Sequence, residues 1–348
     1  MPEVQLIVSA VSGLVVSVAT VAASIAYARR RGLLDQPGQR RSHSQPTPRG
    51  GGAGIVAGTL IVGVPALLLP PSAWPPTTVV VIAAALLAIA AVGWRDDHAP
   101  LPVLPRVGVH ALAALVVGVV LLWPAANIDP RLWWWLAAIV PLFAGSINAH
   151  NFMDGIDGLL GLQALFVLIG YALLAHAAGD FAMTAASLGA AAACLGFLIF
   201  NLPPARIFMG DVGSGALGLS IGALGGLLVQ RRPELLWACA ILSSAFLVDA
   251  GLTLCVRVLS GRRWYTAHRE HLYQWMVRAG SDHARTDGVY MLWNLIVAAP
   301  AAWLAATLPP ARAFALCVVV FALAGVVWIA GKLACLRLAR RELRHANA

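Results

Sequence analysis

The sequence is poor in charged residues, and this limits what kind of protein it can be. Asp, Glu, Lys and Arg make up only 11% of its 348 residues, whereas about 25% is usual in a soluble domain. No stretch has a soluble composition, so we expect no appended globular domain. The cysteines lack the paired spacing of metal or disulfide sites and are expected to be free thiols packed among helices: Cys194, Cys239, Cys255, Cys317 and Cys335.

Apolar residues are abundant instead. They make up 60% of the chain, the mean hydropathy is +0.80, and apolar runs of about 17–25 residues recur along it. We predict an all-α, polytopic membrane protein of about 10–11 transmembrane helices, forming a single domain over residues 1–348. The predicted spans are roughly 4–28, 53–70, 77–94, 107–126, 132–148, 159–178, 182–200, 214–229, 235–259, 288–308 and 313–336.

The first apolar run lacks a basic segment before it and is too long for a cleaved signal, so it is expected to be the first span. We find no internal repeat of the kind that inverted-repeat transporters carry.

The connections between spans alternate in character. One set is short and holds only four of the 24 Lys and Arg residues, whereas the other twenty lie in polar loops, at the adjoining span ends or in the C-terminal tail. Because basic residues accumulate on the cytoplasmic side, we expect a periplasmic N-terminus and a cytoplasmic C-terminus and polar loops. The net charge of +9 then reflects topology and attraction to anionic lipid, and indicates no nucleic acid.

The segment NAHNFMDGIDG, residues 148–158, is the most unusual of these loops. It places Asn148, Asn151, Asp154 and Asp157 three residues apart, which on a helix would put all four on one face. Carboxylates at the mouth of a membrane span are expected to meet something cationic.

Two further loops carry adjacent polar groups. In PTPRGGG, residues 46–52, Arg49 precedes a glycine run whose free backbone N–H groups could cup an anion. Asp96 and Asp97 are neighbours directly after a span, and such a pair invites a divalent cation, a basic side chain or a raised pKa.

The loop that ends in GDVGSG leads directly into an apolar run. Glycines at a helix start expose unpaired N–H groups, which suit a phosphate, so we expect Gly213 and Ser214 to lie at such a site. Asp211 offers a hard oxygen ligand suited to Mg²⁺.

His268 and His271 lie three apart in the last polar loop. Zinc would need a third ligand that the sequence does not supply nearby, so we interpret the pair as donors that face an anionic substrate. Asp249 lies inside a predicted span and is expected to face a cavity or a partner such as Arg257.

All these groups belong to loops on one side of the membrane. A transporter would place its acids near the bilayer midplane, and these lie at span ends. The pattern favours Mg²⁺-dependent phosphoryl transfer at the membrane surface, between a soluble diphosphate donor and a lipid acceptor.

Five stretches then carry a specific resemblance. The stretches are PTPRGGG at 46–52, DD at 96–97, NAHNFMDGIDG at 148–158, the segment from Asn201 to Asp211 with FMGDVGSG at its end, and AHREHLYQ at 267–274. They resemble the polyprenyl-phosphate N-acetylhexosamine-1-phosphate transferases, glycosyltransferase family 4. The resemblance implies transfer of a sugar phosphate from a UDP-N-acetylhexosamine to undecaprenyl phosphate in the bacterial inner membrane, with UMP as the second product. It also allows a homodimer.

The resemblance further implies roles for residues. Asp211 resembles the magnesium ligand, and the diphosphate or uridine contacts would be Asn151 and Asn201, with Arg49, Asn148, Gly213 and Ser214 as further substrate-binding residues. The expected catalytic residues are Asp96 and Asp97 at the lipid phosphate, Asp154 and Asp157 at the nucleotide, and His268 and His271 at the diphosphate or sugar.

Several alternatives remain open at this point. The sequence HREH, in place of a run of histidines, points to the branch that initiates O-antigen rather than peptidoglycan, but the sugar could be N-acetylfucosamine, N-acetylquinovosamine or N-acetylglucosamine. A peptidoglycan-type transferase and, from another class, a transporter of lipid-linked sugars are the alternatives. A lipid phosphate is mostly dianionic at pH 7, which favours direct attack, and a phospho-aspartate at Asp96 or Asp97 is the other mechanism.

Overall fold

The computed structural model describes residues 2–36, 46–262 and 268–346, and this part of the chain is almost wholly helical. Two short strands, β1 (Leu34–Asp35) and β2 (Thr47–Pro48), form an antiparallel pair. The first helices are α1 (Pro2–Arg31), α2 (Ala53–Gly58), α3 (Val64–Ala66), α4 (Pro76–His98), α5 (Val103–Ala126), α6 (Leu136–Phe152), α7 (Leu159–Ala177) and α8 (Phe181–Asn201). They are followed by α9 (Asp211–Arg231), α10 (Leu236–Leu242), α11 (Ser244–Leu259), α12 (Leu272–Arg278), α13 (His283–Trp293), α14 (Ala299–Ala305) and α15 (Pro310–Ala346).

Short irregular helical segments join some of these helices. Two are π-helical, Thr59–Gly63 and Asn294–Ala298, and two are 3₁₀-helical, Pro130–Trp135 and Pro233–Leu235. The π-helical segments connect α2 to α3 and α13 to α14, so each of these pairs forms one continuous helix.

Over the described residues, nine helices are long and apolar enough to cross a membrane, and the bent pair α10–α11 makes a tenth. The predicted all-α, polytopic fold is therefore confirmed. The predicted span 53–70 corresponds to a shorter apolar helix, Ala53–Ala66.

Contacts show that this shorter helix also joins the two ends of the bundle. At one end, Gly51 N donates to Phe208 O at 2.9 Å. At the other end, Ala182 N donates to Ser72 Oγ at 2.8 Å and Arg231 Nη1 donates to Ser72 O at 2.6 Å. Residues 53–66 thus start near the beginning of α9 and finish near its end, as the alternation of polar and short loops predicts.

The centre of the bundle is α9, which corresponds to the short, glycine-rich predicted span 214–229. Of the most apolar 18-residue stretch of α9, 83% is buried inside the protein, whereas only 22% of the corresponding stretch of α1 is buried. The glycines of α9 allow neighbouring helices to pack closely against it. For example, a Cβ on Gly218 would lie only 2.8 Å from Ile147 Cα of α6. Because α9 touches protein rather than lipid over most of its surface, small residues serve it better than a fully apolar face.

The predicted span 235–259 is broken. Its two halves, α10 and α11, meet at Ser243 with a bend of 69°. The carbonyl of Leu242, freed at the break, accepts from Gln163 Nε2 at 3.3 Å, and Asn294 Nδ2 donates to Gln163 Oε1 at 2.7 Å. A break within a membrane is tolerated only where neighbouring groups take up the freed backbone bonds, and these partners lie far away in the sequence.

This network predicts the effect of Gln163→Leu. The change removes the donor to Leu242 O and the acceptor of Asn294, both buried, so we expect a loss of about 1–2 kcal/mol of stability. Thermal unfolding in detergent measures it. Ser220→Ala, which removes a bond to the carbonyl of Ala216 in its own helix, is the matched control and should change little. Equal stability of the two variants would contradict this role of Gln163.

Candidate active site

Four carboxylates meet at the end of the bundle where α4 and α6 end and α9 begins. Asp96 and Asp97 lie in the last turn of α4, Asp154 follows α6, and Asp211 is the first residue of α9. Partial burial and the neighbouring charges of Asp211 and Asp97 raise the pKa of Asp154 to about 8. The structure therefore brings together acids that the sequence places in three separate loops.

Asp97 joins α4 to the start of α9. Its Oδ1 accepts the N–H of Asp211 at 3.0 Å, and its Oδ2 accepts the N–H of Val212 at 3.1 Å. We expected these N–H groups to be free for a phosphate, and that expectation is wrong in this structure. A carboxylate supplied from another helix satisfies the orphan donors in place of a substrate anion.

Arg106, in the first turn of α5, bridges two of the acids. Its Nη1 lies 2.7 Å from Asp96 Oδ2 and 3.2 Å from Asp211 Oδ2. Asp96 Oδ1 also accepts the N–H of Leu101 at 2.6 Å. Arg106 was not among the residues predicted for the site, although it closes the same short loop that begins with the two acids.

Asn151 fixes the other side of Asp211. Its Nδ2 donates to Asp211 Oδ1 at 3.1 Å and to Ser214 Oγ at 3.0 Å. Ser214 is fully buried, and a Cβ on Gly213 would lie 2.5 Å from Gly52 Cα. In this structure Ser214 supports Asn151 and Gly213 allows close backbone packing, while their substrate contacts stay predictions.

The predicted helical face over residues 148–157 does not form. The helix α6 ends at Phe152, whose carbonyl accepts the hydroxyl of Tyr273 at 2.9 Å, so Asp154 and Asp157 lie in the following turn. On α6 itself, Asn148 Nδ2 donates to Ala144 O at 2.7 Å. Glycine weakens the helix after residue 154, and Tyr273 packs so closely on Gly155 that a side chain there would collide with it.

Asp157 and Asn201 lie on a different side of this turn from the four acids. Asp157 Oδ2 accepts the N–H of Ala205 at 3.0 Å and lies 3.3 Å from His283 Nδ1. Asn201 accepts the N–H of Gly158 at 2.9 Å and donates to the carbonyl of Ile207 at 2.9 Å. Both side chains are buried and tie neighbouring loops together, and their catalytic and substrate-binding roles stay predictions.

The glycine run after Arg49 is engaged in pairing with another loop. The N–H of Gly51 donates to Phe208 O and that of Gly52 to Met209 O, both at 2.9 Å. These N–H groups do not form the anion cup that the sequence suggested. Arg49 itself stays half-exposed, 3.5 Å from Asp35 Oδ1, and its positive charge acts on the pKa of Asp154, lowering it.

His268 and His271 lie next to Phe152, at the end of α6 that leads to Asp154. Their ring centroids are 5.0 Å apart, and each lies about 6 Å from the ring of Phe152, which follows Asn151 in the chain. Burial, followed by the nearby charges of His271 and Arg257, lowers the pKa of His268 to about 4. His268 is therefore neutral at pH 7 in the absence of a bound anion.

Asp249 faces a cavity that Leu272 and Trp328 also line, which is one of the two surroundings expected for it, and it is not paired with Arg257. Arg257 Nη1 binds Glu270 Oε1 at 2.6 Å, and Glu270 Oε2 also binds Arg262 at 2.9 Å. Asp249 instead accepts hydrogen bonds from several helices, among them the N–H of Leu272 at the start of α12. Both carboxylates therefore hold the segment that carries the two histidines.

The four acids suit magnesium in their chemistry. Mg²⁺ prefers hard oxygen ligands and is usually held by one or two carboxylates together with substrate phosphates. Once all four carboxylates are ionised, the two arginines nearby, Arg49 and Arg106, leave the cluster with two negative charges. Within the described ranges, however, no three His, Cys, Asp or Glu residues are arranged to hold a metal ion. The residues thus fit a cation that a substrate phosphate completes, rather than a preformed cage.

The raised pKa of Asp154 predicts a pH effect on stability. An acid whose folded-state pKa is raised favours folding while it is protonated, and this contribution is lost as the pH rises from about 4 through about 8. Without divalent cations, the unfolding temperature in detergent should therefore fall by several degrees between pH 6 and pH 9. Added Mg²⁺ should oppose this loss most strongly at the high-pH end.

Two variants test this assignment. Asp154→Asn should reduce the pH dependence, and the remainder is expected from Asp211 and Asp287, whose pKa values burial raises to about 7 and about 8. Glu234→Gln, a change of an exposed acid at the other end of the bundle, should leave the pH dependence unchanged. An unchanged slope in Asp154→Asn would show that other groups cause the effect.

Comparisons with known proteins show the family of this chain. The model of the family described as "Glycosyl transferase family 4" matches residues 79–228, which include Asp96, Asp97, Asp154 and Asp211. The decaprenyl-phosphate N-acetylglucosaminephosphotransferase of Mycolicibacterium smegmatis is 32% identical over 306 residues, covering 78% of this chain and 75% of the relative. The protein of the same name from Mycobacterium tuberculosis is 30% identical over 308 residues, 79% of this chain and 76% of the relative.

A second kind of relative matches a shorter stretch. The phospho-N-acetylmuramoyl-pentapeptide-transferase of Moorella thermoacetica is 34% identical over 192 residues, covering 50% of this chain and 58% of the relative. Both kinds of relative are named as phospho-sugar transferases. The chain belongs to glycosyl transferase family 4, among the polyprenyl-phosphate phospho-sugar transferases.

Proposed function

We propose that the protein transfers N-acetylhexosamine-1-phosphate from a UDP-sugar to undecaprenyl phosphate, giving undecaprenyl-diphosphate-sugar and UMP, as the first step of O-antigen or another surface polysaccharide. The observation that carries this proposal is the meeting of four carboxylates with Arg106, at the end of a bundle of membrane-spanning helices. A site at a span end can receive a soluble nucleotide from one side and a lipid headgroup from the bilayer.

Magnesium is the proposed cofactor. Asp211 would hold it, with Asp154 as the neighbouring carboxylate, because the first-turn position of Asp211 and its bond from Asn151 fix its direction. When bound, the ion would supply positive charge that offsets the repulsion between the two phosphate groups. The raised pKa of Asp154 means that binding would displace a proton there at neutral pH.

The side chains around the acids support direct attack by the lipid phosphate. Such a phosphate has a second pKa of about 6 and needs no strong general base at pH 7. Both oxygens of Asp97 already accept backbone N–H bonds, and Asp96 is held by Arg106 and Leu101. Each oxygen of these two carboxylates thus already accepts a hydrogen bond, which lowers its nucleophilicity and favours direct attack over a phospho-aspartate intermediate.

Arginine and histidine would stabilise the transferred phosphoryl group. Arg106 and the half-exposed Arg49 place positive charge beside the acids, and His268 and His271 line the neighbouring wall with Phe152. Positioned donors of this kind reduce the cost of charge that develops in phosphoryl transfer.

The proposed orientation follows from the basic residues. The end of the bundle that carries the acids has most of the Lys and Arg, so we place it in the cytoplasm, with a periplasmic N-terminus. The proposed location is the bacterial inner membrane, where the UDP-sugar is available only on the cytoplasmic side.

A peptidoglycan-type transfer is the second candidate. The 34% identity to the phospho-N-acetylmuramoyl-pentapeptide-transferase of Moorella thermoacetica favours it. The match to the N-acetylglucosamine-type relatives extends over more of the chain, and the segment from His268 to His271 holds an Arg and a Glu between its histidines. We therefore favour a small N-acetylated sugar.

A transfer assay tests the proposal. Purified protein is mixed with undecaprenyl phosphate, Mg²⁺ and one of several donors: UDP-N-acetylglucosamine, UDP-N-acetylfucosamine, UDP-N-acetylquinovosamine or UDP-N-acetylmuramoyl-pentapeptide. We expect UMP release with one of the small sugars and its loss on adding a chelator. Release only from the pentapeptide donor would establish the second candidate, and release from none by folded protein would contradict both.

Asp211→Asn should reduce this transfer by more than about 100-fold, because the amide cannot replace a charged ligand at the phosphates. The fold should persist, since Asn retains an oxygen for the bond from Asn151. Glu234→Gln is the matched acid-to-amide control at the opposite end of the bundle and should leave kcat unchanged. Substantial turnover by a folded Asp211→Asn variant would exclude Asp211 as the magnesium ligand.

A further inference from the structure

Asp249 is a buried carboxylate inside the membrane-spanning part of α11 that the proposed chemistry does not use. It is 2% exposed, and its two oxygens accept hydrogen bonds from four groups. Oδ1 accepts the N–H of Leu272 at 2.8 Å, Trp328 Nε1 at 2.8 Å and the hydroxyl of Thr253 at 3.3 Å. Oδ2 accepts the hydroxyl of Tyr290 at 2.6 Å.

These donors come from four helices, so Asp249 is a junction. Thr253 is on α11, Leu272 begins α12, Tyr290 is on α13 and Trp328 is on α15. A carboxylate is costly inside a membrane and persists there when charge-assisted bonds compensate its desolvation. The consequence is a fixed position for the start of α12 relative to three other helices.

The residue before Leu272 is His271, and its ring is poorly satisfied. His271 is 2% exposed, and neither ring nitrogen has a hydrogen-bond partner among the described residues. Its Nδ1 lies 3.8 Å from Asp249 Oδ1, beyond hydrogen-bond distance, and a shift of less than about 1 Å would close the gap. Unpaired buried donors are rare, so a working state should give them partners.

Two aromatic rings limit how the imidazole can move. The rings of Phe152 and Tyr273 are inclined to it by 29° and 16°, with centroids 6.1 and 5.9 Å away. These near-parallel neighbours restrict tilting of the ring. Its Nδ1 faces Asp249 Oδ1. Tyr273, one of the two flanking rings, donates its hydroxyl to Phe152 O and packs on Gly155, next to Asp154 of the candidate active site.

A second anchor holds the same segment independently. Glu270 binds Arg257 at 2.6 Å and Arg262 at 2.9 Å through its side chain, and its carbonyl accepts from Lys332 Nζ at 3.3 Å. Because these contacts do not involve Asp249, the segment should remain folded when the carboxylate of Asp249 is neutralised.

We propose that Asp249 is a positioning residue for the transfer reaction: it fixes the start of α12 and accepts the Nδ1–H of His271, so that Nε2 of His271 is the nitrogen available to a phosphate oxygen of the donor. This inference rests on the proposed function. An imidazole whose Nδ1–H is held by a carboxylate can carry a second proton on Nε2 and donate it to an anion.

A double-mutant cycle in the transfer assay tests this role. Asp249→Asn keeps the shape of the side chain but not its charge, and we expect kcat to fall at least about tenfold. His271→Asn should lower kcat by a similar or larger factor. The kcat of the combined variant should lie within about twofold of that of the less active single variant, because both changes disrupt the same pair of side chains.

Gln163→Leu is the matched control, since it also alters a buried intramembrane hydrogen-bond network. It should lower the unfolding temperature with little effect on kcat per folded molecule, and it should not couple to His271→Asn. If Asp249→Asn does not fold, Trp328→Phe takes its place, because it removes a donor to the same Oδ1. Its smaller loss of kcat, about threefold, should likewise disappear in the His271→Asn background.

The outcomes separate the inference from the function on which it rests. Two results with an active wild type would overturn the positioning role and leave the proposed function standing. One is a folded Asp249→Asn variant whose kcat stays within about twofold of wild type. The other is a combined variant whose loss of kcat equals the product of the losses in Asp249→Asn and His271→Asn. If folded wild type transfers nothing from any of the four donors, the proposed function fails and the inference fails with it.

Discussion

The site depends on the two hydrogen bonds that Asp97 accepts from the start of α9. They give α9, the most buried helix of the bundle, a fixed position against α4. Because Asp211 is the first residue of α9, the same bonds place its carboxylate next to Asp96 and within electrostatic range of Asp154. The hydrogen bonds that cap α9 are therefore the same ones that bring the acids together.

Such a cluster needs balancing charge, and the structure supplies it from several elements. Arg106 bridges Asp96 and Asp211, and Arg49 adds a half-exposed charge. Burial and the neighbouring acids raise the pKa of Asp154 to about 8 and that of Asp211 to about 7, which lowers the negative charge of the cluster at neutral pH. The arrangement is strained without a cation and is relieved when a cation and its phosphates bind. We regard this as the physical basis of the proposed magnesium dependence, since electrostatic neutralisation is the main task in bringing two anions together.

The sequence predicted the fold well because hydrophobicity alone determines which segments can cross a membrane. It also predicted that the acids group at one end, because loop character alternates along the chain. It failed where a local pattern was overridden by a distant partner. The hydroxyl of Tyr273 donates to the last carbonyl of α6, where the expected helical face ends. The carbonyls of residues 208 and 209 accept the N–H groups of the glycine run. The break at Ser243 and the role of Arg106 depend on similarly remote contacts.

The central claim is that the acid cluster holds a divalent cation together with the diphosphate of the donor. The most direct measurement is electron paramagnetic resonance of Mn²⁺, used in place of Mg²⁺, on purified protein with UDP. The account predicts one bound ion with hyperfine coupling to ³¹P, absent in Asp211→Asn. A bound ion without ³¹P coupling, or one that persists in the Asp211→Asn variant, would contradict it.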